Sequence, residues 1–217
     1  MTENFIKNTR KIIGAGVNYK EILKIAHSNK PESPVIFFKP ISTLIAAQDD
    51  NNVIKIPKVF STINHEVELG VIIGKKCHNV SMDKAMDYVA GYCLALDMTG
   101  MGFIIDARTK GLPWCLGKGF DTATPVSRFL TKEEVDDPTN VKLWLKVNDV
   151  LTQSDSTANL IFPIPELISY VSKYMTLEEN DLILTGTPAG AGPVKHGDII
   201  ECGLSDIIDM KFNVVKE

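Results

Sequence analysis

The chain is short of cysteine, has no long apolar run and carries no excess of basic residues, and each shortage removes a class of protein. Its four cysteines, Cys77, Cys93, Cys115 and Cys202, are scattered through 217 residues without a C-x-x-C pair. That spacing argues against a zinc ribbon or a disulfide framework and for free, mostly buried thiols used as small core residues. No apolar run approaches the roughly 20 residues that cross a bilayer, so no membrane partner is expected. Lys and Arg number 23 against 27 Asp and Glu, a net charge of -4 without a basic stripe, which speaks against nucleic acid as a partner. The stretch from Met1 to Arg10 is polar and lacks the apolar segment of a secretory signal. The expected location is therefore cytoplasmic, although a short organellar signal, such as a mitochondrial one, is compatible with this stretch. Internal repeats and low-complexity tracts are absent as well.

What is present is an ordinary globular composition, 44% apolar and 23% charged. At this length one domain over residues 1–217 is expected. Segments rich in Val, Ile and Phe alternate with turn clusters while helical patterns are few, so the fold class reads as β-rich α+β. Lys11–Gly16, Val35–Lys39, Glu66–Ile73, Tyr92–Met98 and Asp181–Leu184 read as strands. Asn18 reads as the cap of a short helix reaching about His27, and Ser81 as the cap of a helix through Ala90 closed by Gly91. Asn148–Asp149 reads as a hairpin turn between Leu143–Val147 and Val150–Gln153. Pro163 and Pro165 open a helix through Tyr174 whose core stripe is Ile164, Leu167, Ile168 and Val171. Thr185–Pro193 (TGTPAGAGP) is a Gly/Pro-rich loop.

One constellation carries chemistry. Residues i and i+2 of a strand share a face, so Glu66 and Glu68 project together while Val67 and Leu69 supply the apolar side. Adjacent carboxylates repel unless a cation or a proton lies between them. Asp97 ends the apolar run Tyr92–Leu96, where an acid is costly without a partner. Three hard oxygen donors suit Mg²⁺ or Mn²⁺ better than Zn²⁺. By spacing alone, however, an E-x-E is more often a solvated strand edge, so both readings stay open at this point.

Four ordered motifs raise the first reading. HEVELGVIIGK (His65–Lys75), MDYVAGYCLALDMT (Met86–Thr99), GLPWCLGKGFDTATPV (Gly111–Val126) and LTGTPAGAGPV (Leu184–Val194) resemble the fumarylacetoacetate hydrolase family. The match is to its small acylpyruvase and oxaloacetate decarboxylase branch, and it runs from Gly14 to the C-terminus. The resemblance implies a mixed β-sandwich roll, a homodimer and one Mg²⁺ or Mn²⁺ per subunit. It further implies that Glu66, Glu68 and Asp97 ligate the metal, that Lys118 is the catalytic lysine, and that Lys39 and Thr187 bind a small 2-oxo acid. In such a site the metal and Lys118 would stabilise the enolate formed as the neighbouring C–C bond breaks. A partly buried Lys118 near a cation is expected to lose basicity, which suits proton transfer.

The chain also departs from the family. The family's lid motif has the form G-[RK]-N-Y-x-x-H-x-x-E, whose His and Glu activate water. Here Gly16–Ile25 reads GVNYKEILKI, with Val17, Ile22 and Ile25 at the basic, His and Glu positions. After Asp97 the family often has T-A-R-D-x-Q, and Met101 and Ile104 stand where its Arg and Gln would be. Each change replaces a polar group with a hydrocarbon. General-base help is worth ~10²–10⁴-fold and Ile cannot supply it, so hydrolysis is weakened more than decarboxylation or keto–enol exchange. His27 and Glu21 lie off the relevant helix face, His65 reads as structural, and His78 and His196 as surface residues. Three functional readings follow: an active hydrolase or lyase of 2-oxo acids, an impaired relative that binds metal and ligand without efficient turnover, and an isomerase or tautomerase with an apolar-modified pocket.

Overall fold

Runs of β-branched residues build three sheets, seen in a computed structural model that describes residues 4–47 and 52–217. The largest sheet holds β1 (Ile12–Gly16), β2 (Val35–Lys39), β3 (Leu44–Ala46), β6 (Val67–Ile73), β7 (Val89–Leu96), β8 (Thr124–Val126) and β11 (Leu182–Leu184). Their spatial order is β2-β1-β11-β6-β7-β8-β3, and the sheet is mixed, because β1 runs parallel to β11 and β3 parallel to β8. A second sheet is made by β4 (Val53–Ile56), β9 (Lys142–Val147), β10 (Val150–Ser156), β13 (Ile199–Leu204) and β14 (Ile208–Lys216), in the order β10-β9-β13-β14-β4. Two short strands, β5 (Ile63–His65) and β12 (Gly192–Val194), pair separately.

The two large sheets pack through β6 on β9 and β7 on β14. Val67, Leu69 and Val71 meet Leu143, Leu145, Ile200 and Phe212 in one core. Every residue of β6 is buried, which explains why its sequence is nearly continuous hydrocarbon apart from Glu68 and Gly70. The expected β-rich α+β sandwich is thus what the chain forms.

Five α-helices accompany the sheets among the described residues: α1 (Phe5–Asn8), α2 (Lys20–Ile25), α3 (Met101–Lys110), α4 (Cys115–Lys118) and α5 (Ile164–Tyr174). Helix α5 buries Ile164, Leu167, Ile168 and Val171, the stripe read from the sequence. The hairpin turn at Asn148 and Asp149 is also as expected, with φ of 50° and 66°, the left-handed pair that a two-residue turn between twisted strands requires.

Three local expectations are corrected. Asn18 does not cap α2; its amide donates to the carbonyls of Phe162 and Thr185 and its oxygen accepts from the Phe162 N–H, bracing two loops. Ser81 precedes a 3₁₀ helix, Met82–Tyr88, not an α-helix. Gly91 lies inside β7, where a Cβ would come within 2.2 Å of the Leu130 carbonyl oxygen, so close strand packing explains this glycine better than a helix end does. Helix α3 went unread altogether. Gly100 and Gly102 weaken its helical signal, and Met101, Phe103, Ile104 and Ile105 do not fall on one stripe. Its end is nevertheless marked by Gly111 in the left-handed region.

Candidate active site

Strand register assembles the acids. Val67 faces Leu96 and Glu68 faces Ala95 across β6 and β7, and the next rung is made by the Asp97 N–H donating to the Glu66 carbonyl at 2.8 Å. Glu66 and Asp97 therefore flank the same end of the strand pair as Glu68, and each of the three offers an oxygen within 4.8 Å of the others. All three are buried. The open choice between a wet strand edge and an enclosed cluster is decided for the enclosed cluster.

Two lysines enter this centre. Lys118, at the end of α4, donates to Asp97 Oδ2 at 2.5 Å, Glu66 Oε2 at 2.9 Å and Thr99 Oγ1 at 2.6 Å. Lys39, the last residue of β2, donates to Asp97 Oδ1 at 2.6 Å and to the Met98 carbonyl at 3.2 Å. It is 2% exposed and sits behind Asp97 without lining the cavity, so it stands as a counter-ion where substrate contact was expected. Among the described residues Glu68 forms no salt bridge with a lysine; its Oε2 accepts the Gly186 N–H at 2.6 Å. Gly186 has φ of 104°, and a Cβ there would come within 2.7 Å of Asn18, so the close approach of this loop to Glu68 demands glycine.

The electrostatics follow from burial and pairing. Burial raises Glu66, an effect that Lys118 only partly offsets. Burial, then Asp97 and Glu66, push Glu68 well above the usual carboxylate range. Burial would raise Asp97 too, but Lys118 and Lys39 outweigh it and hold that carboxyl below its ordinary value. For Lys118, burial works against the charge, yet Asp97 and Glu66 win and raise it. The expected loss of basicity falls on Lys39 instead, where burial dominates.

Thr187 lies on the loop after β11 and lines the cavity, but its hydroxyl proton is committed to the Val67 carbonyl at 2.8 Å. The same oxygen accepts from Gln153 Nε2 at 2.8 Å. Gln153 also bonds the Pro188 carbonyl, the Val67 N–H and His65 Nδ1, clamping the TGTP loop to β5 and β6. Sequence reasoning missed this residue. No pattern in the sequence marks it; the structure has a register shift in β10 between Leu151 and Gln153, a bulge that turns a polar side chain inward. His65 is 1% exposed and structural, as read.

The cavity over the centre has a volume of about 190 Å³ and an apolar wall formed by Val17, Ile22, Phe37, Met101, Ile104 and Trp114. Ile22, Met101 and Ile104 thus reach the site, whereas Ile25 is 65% exposed and does not. Val17 holds φ of 54°, a strained conformation for a β-branched residue. Arg108, which sequence reasoning passed over, stands at the rim. His27, His78 and His196 are exposed.

Sequence and fold together match one class of protein. The chain is an enzyme of the fumarylacetoacetate hydrolase family, whose region described as "Fumarylacetoacetate (FAA) hydrolase C-terminal" matches residues 11–215. Among its relatives, oxaloacetate tautomerase FAHD1, mitochondrial, of Bos taurus is 48% identical over 94% of this chain and 91% of that protein. Oxaloacetate decarboxylase, mitochondrial, of Dictyostelium discoideum is 44% identical over 97% of this chain and 96% of that protein. The structure of fumarylpyruvate hydrolase from Pseudomonas aeruginosa in complex with Mn²⁺ and pyruvate superposes with a TM-score of 0.91 at 28% identity, covering 96% of this chain and 91% of that one.

Proposed function

We propose that this enzyme interconverts or decarboxylates small 2-oxo acids through an enolate, with oxaloacetate as the first candidate substrate, and that it does not depend on an activated water. The carrying observation is the combination of the lysine-bridged acid centre with a cavity wall in which Ile22, Met101 and Ile104 offer no proton acceptor to water.

Glu66, Glu68 and Asp97 fit a hard divalent cation, Mg²⁺ or Mn²⁺. The three donors are oxygen, they lie close together, and two lysines leave one of their negative charges unbalanced. When bound, the cation supplies Lewis acidity that stabilises a developing enolate. A net positive centre would also attract the anionic head of a 2-oxo acid. Lys118 holds an ammonium group whose three N–H donors go to Glu66, Asp97 and Thr99; a cation taking over the two carboxylates would free one of them to donate to the developing oxyanion. Lys39 fixes the other oxygen of Asp97. Thr187, its hydroxyl proton already used on the Val67 carbonyl, can accept only from an enol hydroxyl of the substrate. Residues Asn18–His27 act as a lid segment, with Ile22 packed over the cavity to keep water out.

The apolar side chains of Phe38, Val59, Leu112 and Leu116, each exposed, line two grooves that meet at Cys115 and would be covered in a homodimer. Light scattering of the purified protein tests this. The mitochondrial relatives favour that organelle over the cytoplasmic default, which imaging of the tagged protein decides.

The functional test follows enol–keto exchange by absorbance and pyruvate formation from oxaloacetate, with Mn²⁺ or with EDTA, for wild type and Glu68→Gln. Acceleration that needs metal and is lost in the variant supports the proposal. Rates equal to those of free metal ion, identical in the variant, would sink it. The impaired-relative reading is favoured by the same apolar wall, and pyruvate binding by calorimetry without any turnover would select it.

A further inference from the structure

Helix α3 carries Met101, Ile104 and Arg108 at positions i, i+3 and i+7, so all three lie on one face. That face looks into the cavity, which all three line. The helix starts beside Asp97, and Arg108 stands two turns further out, about 10 Å along the axis from Met101. A ladder of side chains connects the two ends. Lys118 Nζ lies 4.6 Å from the Phe37 ring centre, Phe37 lies 5.9 Å from Trp114, and the Arg108 guanidinium carbon lies 4.7 Å from the Trp114 ring.

The strand β1 is shaped for this ladder. A Cβ at Gly14 would come within 2.1 Å of Phe37, and one at Gly16 within 3.2 Å of Trp114. The two rings therefore occupy space that any side chain at Gly14, and most at Gly16, would contest.

Arg108 has no acid of its own. The only carboxylate on α3, Asp106, is paired with Lys110 at 2.7 Å. Among the described residues Arg108 forms no ion pair. An unpaired guanidinium over an indole ring is weakly hydrated and free to make a bidentate contact with a carboxylate. The cavity thus has a cation at its inner end, hydrocarbon and aromatic walls in the middle, and a second cation at its rim.

We propose that Arg108 is a specificity-determining residue for a second carboxylate on the substrate, so that the preferred ligand is a 2-oxo diacid longer than oxaloacetate. Its 2-oxo acid head lies at the Glu66, Glu68 and Asp97 centre, its methylene segment lies against Phe37, Ile104 and Trp114, and its far carboxylate meets the guanidinium. This rests on the 2-oxo acid reading of the centre.

Calorimetry of the Mn²⁺-loaded protein with 2-oxohexanedioate and 2-oxohexanoate tests it, since the two probes have the same chain length and differ only in the far carboxylate. Wild type should bind the diacid roughly 10- to 100-fold more tightly, the range of a charge-assisted hydrogen bond. Arg108→Gln should cut that ratio to about twofold or less by weakening the diacid alone, and Arg108→Lys should restore part of it. Arg108 is exposed, so the variants are expected to fold. Equal affinity for both probes in wild type would overturn the proposal. So would equal weakening of both probes by Arg108→Gln, because the guanidinium would then hold the head. If neither acid binds with metal present, the 2-oxo acid reading fails and this proposal fails with it.

Discussion

Lys118 donates a hydrogen bond of 2.5 Å to Asp97 Oδ2, and both side chains are almost fully enclosed. Lys118→Met therefore removes a buried charge from partners that stay behind. Breaking one side of such a pair costs about 3–5 kcal/mol, so the variant should melt well below wild type in EDTA. Metal should recover part of the loss by taking over the charge of Glu66 and Asp97. Metal-dependent turnover should fall ~10²–10³-fold, the effect of losing one oxyanion donor. Thermal melts and initial rates check both parts, and wild-type rates in the variant would remove Lys118 from the reaction.

Glu68 gives a prediction of opposite sign. Its ionised form is disfavoured by burial, then by Asp97 and Glu66, which together outweigh the attraction of Lys118. Glu68→Gln should thus leave the metal-free protein at least as stable as wild type near neutral pH. With Mn²⁺ at 100 times its Kd, wild type should gain about 2.7 kcal/mol and the variant little. Denaturant titrations with and without Mn²⁺ distinguish the two.

Gln153 is 1% exposed and holds Thr187, Pro188, Val67 and His65 together. Gln153→Ala leaves several buried groups unsatisfied, at about 1–3 kcal/mol for each such group. Urea denaturation should show the loss. KM should rise more than kcat falls, since the clamp positions the loop bearing Thr187 and touches no reacting atom.

His65 sets an acid limit. Burial holds its pKa below 6.5, against a smaller upward pull from Gln153. Below pH 6.5 the unfolded imidazole takes a proton that the folded one resists, so the unfolded state binds more protons and stability falls with falling pH. The contribution is whole above that pH and is lost towards the folded pKa, at no more than about 1.4 kcal/mol per pH unit. Urea midpoints in EDTA between about pH 7 and pH 5 should show this slope, and His65→Asn should flatten it.

Ile22 lines the cavity, whereas Ile25 is exposed. Ile22→His with Ile25→Glu should still raise acylpyruvate hydrolysis, because the introduced imidazole would face the cavity. The gain should reach up to the ~10²-fold at the lower end of general-base catalysis. Product formation from acetylpyruvate measures it; an unchanged rate would mean that water activation is blocked by more than the lost dyad.

Legibility in the sequence tracked the range of the interactions involved. The hairpin at Asn148–Asp149 and the buried stripe of α5 rest on local rules, left-handed turn residues and helical spacing, and both were read correctly. Asn18 and Gly91 were misread because each serves a partner distant in the chain: Phe162 and Thr185 for Asn18, the Leu130 carbonyl for Gly91. Gln153 and Arg108 carry no local pattern at all; a strand bulge and a helix face bring them to the site.

The acids themselves divide the same way. By itself, the sequence determined that Glu66 and Glu68 share a strand face, since alternation is a property of the backbone. Its ordered motifs also identified the family. The motifs also named Asp97, but only the tertiary structure supplied the physical reason that it joins them, the register of β6 against β7. It likewise decided that Lys118 reaches in from α4 while Lys39 stays behind Asp97, and that Phe37, Trp114 and Arg108 line the way out. These are choices of burial and long-range packing, where the cost of an unpaired charge selects partners that no spacing along the chain reveals.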